Sequence, residues 1–159
     1  MAIEAPYSKF KLNNCKIYAA VCIVMAIILA YDGYLSKYEW SKRQSFYNKH
    51  VDSEGKMDDM MKFNRNTPLV LMPLAAWFAV RFFMLRSRKI VADDNGITID
   101  DKTIAYDSIE SINKTNFDSK GFFTVTYKDA GDTECEQKFS DRSFDKLPSV
   151  LDYIVAKIS

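Results

Sequence analysis

Residues 17–31 read IYAAVCIVMAIILAY and contain no charged side chain. Extended to residue 35, the run has 19 positions, interrupted only by Asp32 and Gly33. An α-helix rises about 1.5 Å per residue, so this segment would be roughly 28 Å long, close to the thickness of the hydrocarbon core of a bilayer. The alternative is a buried core helix, but the rest of the chain is too small to enclose one. The stretch therefore predicts a transmembrane helix over 17–35.

A second apolar run, LVLMPLAAWFAVRFFML, occupies residues 69–85 and contains a single charge at Arg81. Pro68 and Pro73 stand near its start, where proline suits a first helical turn or a kink. Arg81 is five residues from Arg86, so we expect its guanidinium to extend along the helix to the nearer membrane interface. The run predicts a second transmembrane helix over 68–86.

Basic residues flank the two runs on the sides away from the connecting loop, at Lys9, Lys11, Lys16, Arg86, Arg88 and Lys89. Those before residue 17 would also fit a cleaved signal peptide, but no small-x-small cleavage site follows the run. Two spans put both termini on one side, and the positive-inside rule favours the cytoplasm. We therefore expect a cytoplasmic segment over 1–16, an outer loop over 36–67 and location in a bacterial inner membrane. The residues predicted at the membrane interface are Asp32, Tyr34, Arg81, Arg86 and Arg88.

The connecting loop, 36–67, is rich in aromatic residues and is predicted to be partly helical. Residues 36–49 contain no helix breaker, so we expect them to continue the first helix outside the bilayer, up to a turn at DSEG (52–55). Holding such a loop in order without contacts is costly in conformational entropy. We therefore predict that the loop carries a docking surface for a partner subunit, formed by Trp40, Arg43, Gln44, Tyr47 and Phe63.

After Lys89 the sequence changes to short β-type runs separated by turn signals such as DDNG (93–96). Phe123, Val125 and Tyr127 alternate with polar neighbours, as in a strand with one solvated face. A helix with one apolar face is expected over about 145–158, with Pro148 in its first turn. Antiparallel strands followed by one helix form an α+β arrangement. The strands are predicted at 90–92, 96–99, 103–106, 109–113, 122–127 and 134–139.

Two predicted membrane helices followed by IVADDNGITIDDKTIAYDSIESINK and GFFTVTYKDAG resemble the membrane-anchored bacterial pleckstrin-homology-like (PH-like) domains. The shared features are a D-x-x-G-I turn at 93–97 and an aromatic-x-x-I-x-x-I stretch, here Tyr106, Ile109 and Ile112. The family usually has tryptophan where Tyr106 stands. The resemblance covers residues 68–159. It implies a PH-like domain over 89–159, with a strongly bent antiparallel sheet closed by the C-terminal helix, and a binding role rather than a catalytic one.

The charge is divided between the two parts of the chain. Residues 89–159 contain 14 Asp/Glu and 9 Lys/Arg, a net charge of −5, whereas residues 1–88 contain 7 and 13, a net charge of +6. Phosphoinositide binding requires clustered cations, and the bases after residue 89 are scattered in sequence, so such binding is not expected. The same net charge argues against a nucleic-acid partner.

No motif for catalysis, a metal or a cofactor stands out. The cysteines at 15, 22 and 135 lack CxxC spacing, and His50 is the single histidine, which removes most histidine-based chemistry. We therefore predict a protein that is not an enzyme and has no metal or cofactor. Four acids lack the EF-hand spacing and are expected to be solvated turn residues: Asp93, Asp94, Asp100 and Asp101.

Two anchors, a binding-type domain and the lack of a catalytic constellation favour one class of function. We expect a non-catalytic accessory or scaffold subunit of a larger membrane protein complex. Its partners would be other membrane-protein subunits, bound through the loop and the PH-like domain, and the lipid bilayer. The alternative is a membrane-anchored sensor or regulator that couples the outer loop to the cytoplasmic domain.

Overall fold

A computed structural model of the chain describes residues 2–100, 102–129 and 131–158. The chain divides into two compact units. One is a helical hairpin, Asn14–Phe82, and the other is a domain built from Met1–Asn13 together with Phe83–Ser159. The hairpin is thus inserted into the sequence of the domain, so both ends of the chain belong to the same unit.

Two long helices form the hairpin. Helix α1 covers Lys9–Ala30 and continues into a π-helical turn, Tyr31–Leu35. Helix α3 covers Asp59–Arg86, and a short helix α2, Gln44–His50, lies in the connection. Both long helices are long and apolar enough to cross a membrane, and only 11% of the residues in the most apolar window of each are buried. The helices therefore present most of their apolar side chains outward.

Helix α3 is longer than the predicted span because it has an early N-cap. The Asp58 carboxylate accepts a hydrogen bond from the Met61 backbone N–H at 2.9 Å, which satisfies one of the donors that a helix start leaves free. The helix therefore begins about three turns before the apolar run. Pro68 and Pro73 consequently lie inside the helix rather than in its first turn.

The prediction that residues 36–49 continue the first helix is wrong. After the π-helical turn the chain passes through turns before α2 begins at Gln44. The Ser36 hydroxyl donates to the backbone carbonyl of Asp32, so this end of the helix has a side-chain partner and does not require a further helical turn. The break follows from contacts made by Asp32 and not from a proline or glycine within 36–49.

Close approach between the hairpin helices depends on small residues. A Cβ added to Gly33 would lie 2.8 Å from backbone atoms of Asn64 and Arg65. Further along the pair, the rings of Tyr18 and Phe78 lie 5.3 Å apart. Small residues at helix contacts let backbones approach closely, as is common between membrane helices. The buried residues are Cys15, Cys22 and Ala26 on α1, and Met61, Asn64, Pro68 and Ala75 on α3.

Among the described residues, the domain contains two antiparallel sheets, two α-helices of its own and a short 3-10 helix, Tyr106–Ser108. One sheet has the strand order β1-β2-β3-β4 and the other the order β5-β6-β7. All six predicted strands are present, with small differences at their ends. The elements are β1 Ile3–Pro6, β2 Lys89–Ala92, β3 Ile97–Ile99, β4 Lys102–Ile104, β5 Ile109–Asn113, α4 Phe117–Lys120, β6 Phe122–Lys128, β7 Glu134–Ser140 and α5 Leu147–Ile158.

Strand β1 comes from the N-terminal segment, which the sequence predicts to be separate from the domain. It pairs antiparallel with β2, from Ile3 opposite Ala92 to Pro6 opposite Lys89. The Lys89 ammonium also lies 2.6 Å from the carboxylate of Glu4. Because β1 is at the edge of the sheet, Pro6 is tolerated there. Residues 1–16 therefore do not form an independent segment.

The core of the domain follows the predicted alternation. Phe123, Val125 and Tyr127 on β6 are buried, and the ring of Phe123 stacks on that of Phe139 at 5.0 Å. Pro148 lies in the first turn of α5, as predicted. The apolar face of α5 covers the core at Leu147, Val150, Leu151 and Ile154, whereas Ile158 at its end is exposed.

Candidate functional site

The tip of the hairpin, residues 31–65, is organised around a buried carboxylate. Asp32 is only 8% exposed, and both of its oxygens accept hydrogen bonds from Arg43, at 2.9 Å from Nε and 2.8 Å from Nη2. This hydrogen-bonded pair raises the pKa of Arg43 above its usual value. A two-pronged contact of this kind fixes orientation as well as charge. It folds the segment after the π-helical turn back onto the end of the helix.

Two further contacts fix the fold of the tip. The Ser41 hydroxyl donates to the phenol oxygen of Tyr31 at 3.2 Å. The Tyr34 hydroxyl donates to the backbone carbonyl of Arg65 at 2.9 Å, so the end of the first helix is bound to α3. The tip is therefore tied both to itself and across the hairpin.

In residues 50–58 of the tip, the carboxylates of Asp52 and Asp58 accept hydrogen bonds that order the chain. His50 Nδ1 lies 2.6 Å from an oxygen of Asp58, and this hydrogen bond lowers the pKa of the Asp58 carboxyl. The predicted turn at 52–55 is confirmed: Asp52 accepts hydrogen bonds from the backbone N–H groups of Glu54 and Lys56, at 3.0 and 2.7 Å. A β-bridge between Val51 and Met57 closes this turn.

Aromatic side chains project from this ordered frame. Trp40 is 66% exposed and stacks on Tyr38, with ring centroids 5.6 Å apart. Phe63, near the start of α3, is 56% exposed. Large exposed aromatic side chains on a rigid backbone are typical of surfaces that bind another protein or the membrane interface.

The five residues predicted to dock a partner have different surroundings. Trp40 and Phe63 are available at the surface, whereas Arg43 is engaged by Asp32. Gln44 is the first residue of α2 and is half-buried. Tyr47 helps to line a small cavity of about 200 Å³ beside Gly33 and Met61. The structure thus divides the set into exposed contacts and residues that hold the tip in shape.

The residues predicted at the membrane interface also have specific contacts. The guanidinium of Arg81 lies 5.3 Å from the ring of Trp77, and that of Arg86 lies 5.7 Å from the ring of Phe83. Tyr34 and Asp32 belong to the tip described above. Arg88 lies in the domain and donates from Nε to Asp100 at 2.8 Å, which lowers the pKa of the Asp100 carboxyl.

The acids of the turn between β2 and β3 bind groups of the domain. Asp93 accepts hydrogen bonds from the backbone N–H groups of Asn95 and Gly96, at 2.8 and 3.2 Å, which confirms the predicted turn. The Tyr106 hydroxyl donates to the backbone carbonyl of Asp93 at 2.8 Å, and burial raises the pKa of Tyr106 to about 12. Asp101 lies outside the described residues. Within the described ranges, no group of three or more His, Cys, Asp or Glu side chains could hold a metal ion.

Asp94 joins the same turn to the C-terminal helix. Its Oδ1 lies 2.7 Å from Lys157 Nζ and accepts a hydrogen bond from the Tyr153 hydroxyl at 3.1 Å. These contacts, with that from Lys157 the largest, lower the pKa of Asp94 to about 2. The predicted solvated turn acid therefore also fastens α5 to the sheet.

A groove that the sequence did not predict lies between α4 and α5. It has a volume of about 720 Å³, with Phe117, Leu151 and Val155 as apolar lining and Asp118 and Asp152 among its charged groups. The sequence signal was weak because the groove is formed by residues on two elements 30 positions apart. An elongated partner segment would find both apolar and polar contacts there.

Comparison with protein-family models, curated proteins and solved structures finds no match to this chain.

Proposed function

We propose that the chain is a membrane-anchored, non-catalytic accessory or scaffold subunit of a larger membrane protein complex. The hairpin would span a bacterial inner membrane, and the domain would be a PH-like binding module on the cytoplasmic side. The partners would be other membrane-protein subunits. The observation that carries the proposal is an ordered hairpin tip that presents exposed aromatic side chains.

Membrane insertion is supported by where the apolar side chains lie. Leu69, Val70 and Met84 on α3 are 66%, 68% and 71% exposed, and Ile27 on α1 is 62% exposed. A core helix of a water-soluble protein would bury such residues, because exposing a large contiguous apolar surface to water is unfavourable. Lipid tails remove this cost, and the helices have the length that a bilayer requires.

The PH-like assignment is supported by the arrangement of the strands. Among the described residues there are seven strands in two antiparallel sheets of four and three, followed by a helix whose apolar face covers the core. The resemblance implies one strongly bent sheet, and the strands here form two separate sheets; the antiparallel pairing and the closing helix are the features that support the proposal. In this interpretation, the first strand of the module precedes the hairpin and the other six follow it.

The proposed orientation follows from this insertion. Since β1 and β2 are paired strands, the helix ends that follow β1 and precede β2 must emerge on the same side of any membrane that the hairpin crosses. The basic residues at these ends favour the cytoplasmic side. The tip would then face the opposite side, where its aromatic side chains meet headgroups and partner subunits.

Partner binding at the tip is supported by its ordered backbone, because ordering a loop costs conformational entropy. The Asp32–Arg43 ion pair, a π-helical turn and the hydrogen bond from Tyr34 to Arg65 order the backbone that carries the Tyr38–Trp40 stack. Preorganised aromatic side chains lose little entropy on binding, which is why they dominate many interfaces. The groove between α4 and α5 offers the domain a second contact for the same complex.

Affinity purification of the tagged full-length chain in mild detergent tests this function. We expect companion proteins at stoichiometric amounts, and we expect Trp40→Ala to reduce their recovery by about tenfold. Trp77→Ala is the matched control, because Trp77 is similarly exposed, at 52%, but lies within the apolar span of α3. A monodisperse lone chain, or equal loss with both variants, contradicts the proposal.

A sensor or regulator is the second candidate, and the site of insertion favours it. The hairpin connects two strands that pair along their whole length, so a displacement of one helix along the other would strain this pairing. Hydrogen exchange in the full-length protein tests the coupling: we expect Arg43→Gln at the tip to change protection of the amides in β1 and β2. Unchanged protection rules the coupling out.

A further inference from the structure

A cavity in the hairpin tip, which we call the tip cavity, combines two cations with two phenols. Its volume is about 200 Å³, and its polar lining comes from Tyr34, Lys37, Tyr47 and Arg65. Met57 and Met61 contribute an apolar part of the lining. No Asp or Glu among the described residues lines it. All of these side chains belong to the unit Asn14–Phe82, so the cavity lies within the hairpin.

The fold of the tip brings these polar groups together from three segments. The backbone of Gly33 lies so close to α3 that an added Cβ would be 2.8 Å from the Arg65 backbone N. The Tyr34 hydroxyl donates to the Arg65 carbonyl at 2.9 Å, and Lys37 follows three positions later. Tyr47 comes from α2. Because Lys37 and Arg65 are 28 positions apart, no local pattern reveals the cavity.

Neither cation of the tip cavity makes an ion pair with a carboxylate of a described residue. The Arg65 guanidinium lies 5.4 Å from the centre of the Tyr34 ring, and its Nη1 donates to the Met57 sulfur at 3.7 Å. A thioether is a weak acceptor. The Lys37 ammonium lies 5.0 Å from the centre of the Tyr38 ring. Both charges therefore have neutral neighbours, and most of their hydrogen-bond donors are available to a ligand.

Other cations of the tip have acidic partners. Arg43 is paired with Asp32 at 2.8 Å, and Lys62 with Asp59 at 3.3 Å. Asp52 instead accepts hydrogen bonds from the backbone of its own turn. These acids have partners elsewhere and do not line the cavity, so a counter-ion for Lys37 and Arg65 has to come from outside the hairpin.

The tip cavity adjoins the exposed aromatic stack. Lys37 contacts the ring of Tyr38, and that ring stacks on Trp40 at 5.6 Å. Trp40 is 66% exposed. A partner that covers the stack would therefore also reach Lys37 at the edge of the cavity.

We propose that the tip cavity binds a carboxylate side chain of the partner subunit. The proposal rests on the scaffold function argued above and specifies the chemistry of the partner. An arginine fork can bind both oxygens of a carboxylate, Lys37 adds a second positive charge, and the Tyr47 hydroxyl can donate a further hydrogen bond. Pockets for small molecules usually measure roughly 300–1,000 Å³. The tip cavity is smaller, which favours a single acidic side chain.

Titration of the full-length protein in neutral detergent with N-acetylglutamate N-methylamide tests the cavity. This probe carries one side-chain carboxylate. Binding is followed by NMR of the tyrosine ring carbons, with the signals of Tyr34 and Tyr47 assigned from phenylalanine variants. We expect saturable shifts at both rings, absent with the matching glutamine amide. Affinity should be about tenfold weaker after Arg65→Gln or Lys37→Gln, and circular dichroism establishes that each variant is folded.

Lys42→Gln is the matched control, because it removes the same charge from an exposed position of the tip outside the cavity. Its affinity should stay within about twofold of the wild type. Equal weakening by Lys42→Gln, or equal binding of the glutamine amide, overturns the proposal. Tighter binding of inorganic phosphate than of the glutamate probe overturns the carboxylate assignment.

Recovery of companion proteins tests whether the carboxylate belongs to a partner. Arg65→Gln should reduce their recovery by about tenfold, whereas Lys42→Gln should not. If Trp40→Ala reduces recovery and Arg65→Gln does not, the carboxylate contact is wrong and the scaffold function stands. If no companions are recovered, the scaffold function fails and the partner assignment fails with it. The titration requires no partner protein, so it decides separately whether the cavity binds a carboxylate.

Discussion

The domain buries its large apolar side chains, whereas the hairpin exposes most of them. In the domain, Phe123, Phe139 and Ile154 are fully buried. In the hairpin, residues of the same type are mostly exposed, and the buried positions include small or polar ones such as Ala26, Asp32 and Asn64. One chain therefore uses two packing rules. The difference fits the proposed membrane insertion, in which water surrounds the domain and lipid surrounds the hairpin.

The same contrast explains what holds each unit together. In water, burial of large apolar side chains is the main stabilising term. Between helices in lipid this term disappears, and close packing with internal hydrogen bonds replaces it. Gly33 and the Asp32–Arg43 pair are the corresponding features of the hairpin. The following predictions test whether each unit responds to mutation as its proposed solvent requires.

Removal of a core ring from the domain should have the largest effect. Phe123→Ala deletes a fully buried side chain that stacks on Phe139, so we expect a loss of about 3–5 kcal/mol in the free energy of unfolding. Chemical denaturation of the full-length protein in detergent measures it. Thr124→Ala, on the neighbouring half-buried position, should change the value by less than about 1 kcal/mol. A loss below about 1 kcal/mol for Phe123→Ala would contradict the assigned core.

Enlargement of the closest contact in the hairpin should have the next largest effect. Gly33→Ala places a methyl group 2.8 Å from the backbone at Asn64 and Arg65, and we expect the hairpin to lose about 1–3 kcal/mol. Unfolding in a series of increasingly denaturing detergent mixtures measures the loss. Ala20→Val on the exposed face of α1 is the control and should change little. If both substitutions have the same small effect, close packing does not stabilise the hairpin.

The half-buried phenol of Tyr106 should ionise only at strongly alkaline pH. Its pKa is raised to about 12, above the ordinary value of about 10. Between these two values the unfolded chain loses this proton while the folded domain keeps it, so the domain should lose stability as pH rises from about 10 to about 12. The ultraviolet difference titration of wild type minus Tyr106→Phe should have a midpoint near the upper value. A midpoint near the ordinary value would show that Tyr106 is solvated.

Protonation of Asp94 at acidic pH should break its contact with Lys157, and this should have the smallest effect on stability. Its pKa is lowered from 3.8 to about 2, so the stability that Asp94 contributes is complete above the ordinary value and is lost as pH falls through the lower one. Carboxyl carbon NMR should place the Asp94 midpoint near the lower value. Lys157→Gln should move it toward the ordinary value, because the Lys157 contact is the largest cause. If the Asp94 midpoint stays the same in Lys157→Gln, Lys157 is not the cause of the lowered pKa.

The sequence predicted those elements whose pattern is local. Alternation around Phe123 and the apolar stripe of α5 fall within single elements, so the strands and the last helix could be found. Strand β1 could not, because four residues, IEAP, have no periodicity and their partner strand begins at Lys89. A pairing between segments so far apart leaves no signal in either segment alone.

The candidate site was only partly predictable for the same reason. The aromatic composition of the loop led to Trp40 and Phe63, which are exposed as a docking surface requires. Its fold was missed because residues 36–49 contain no helix breaker, while the break comes from Asp32 binding Arg43 across 11 positions. The shape of the tip depends on a side-chain pair between separate segments, so helix propensity alone could not predict it.

Alkaline carbonate extraction of membranes that contain the full-length chain tests the central claim most directly. If lipid is the solvent of α1 and α3, the protein should stay in the membrane pellet and leave it only with detergent. Recovery in the carbonate supernatant, as for a protein bound only at the membrane surface, would contradict the account.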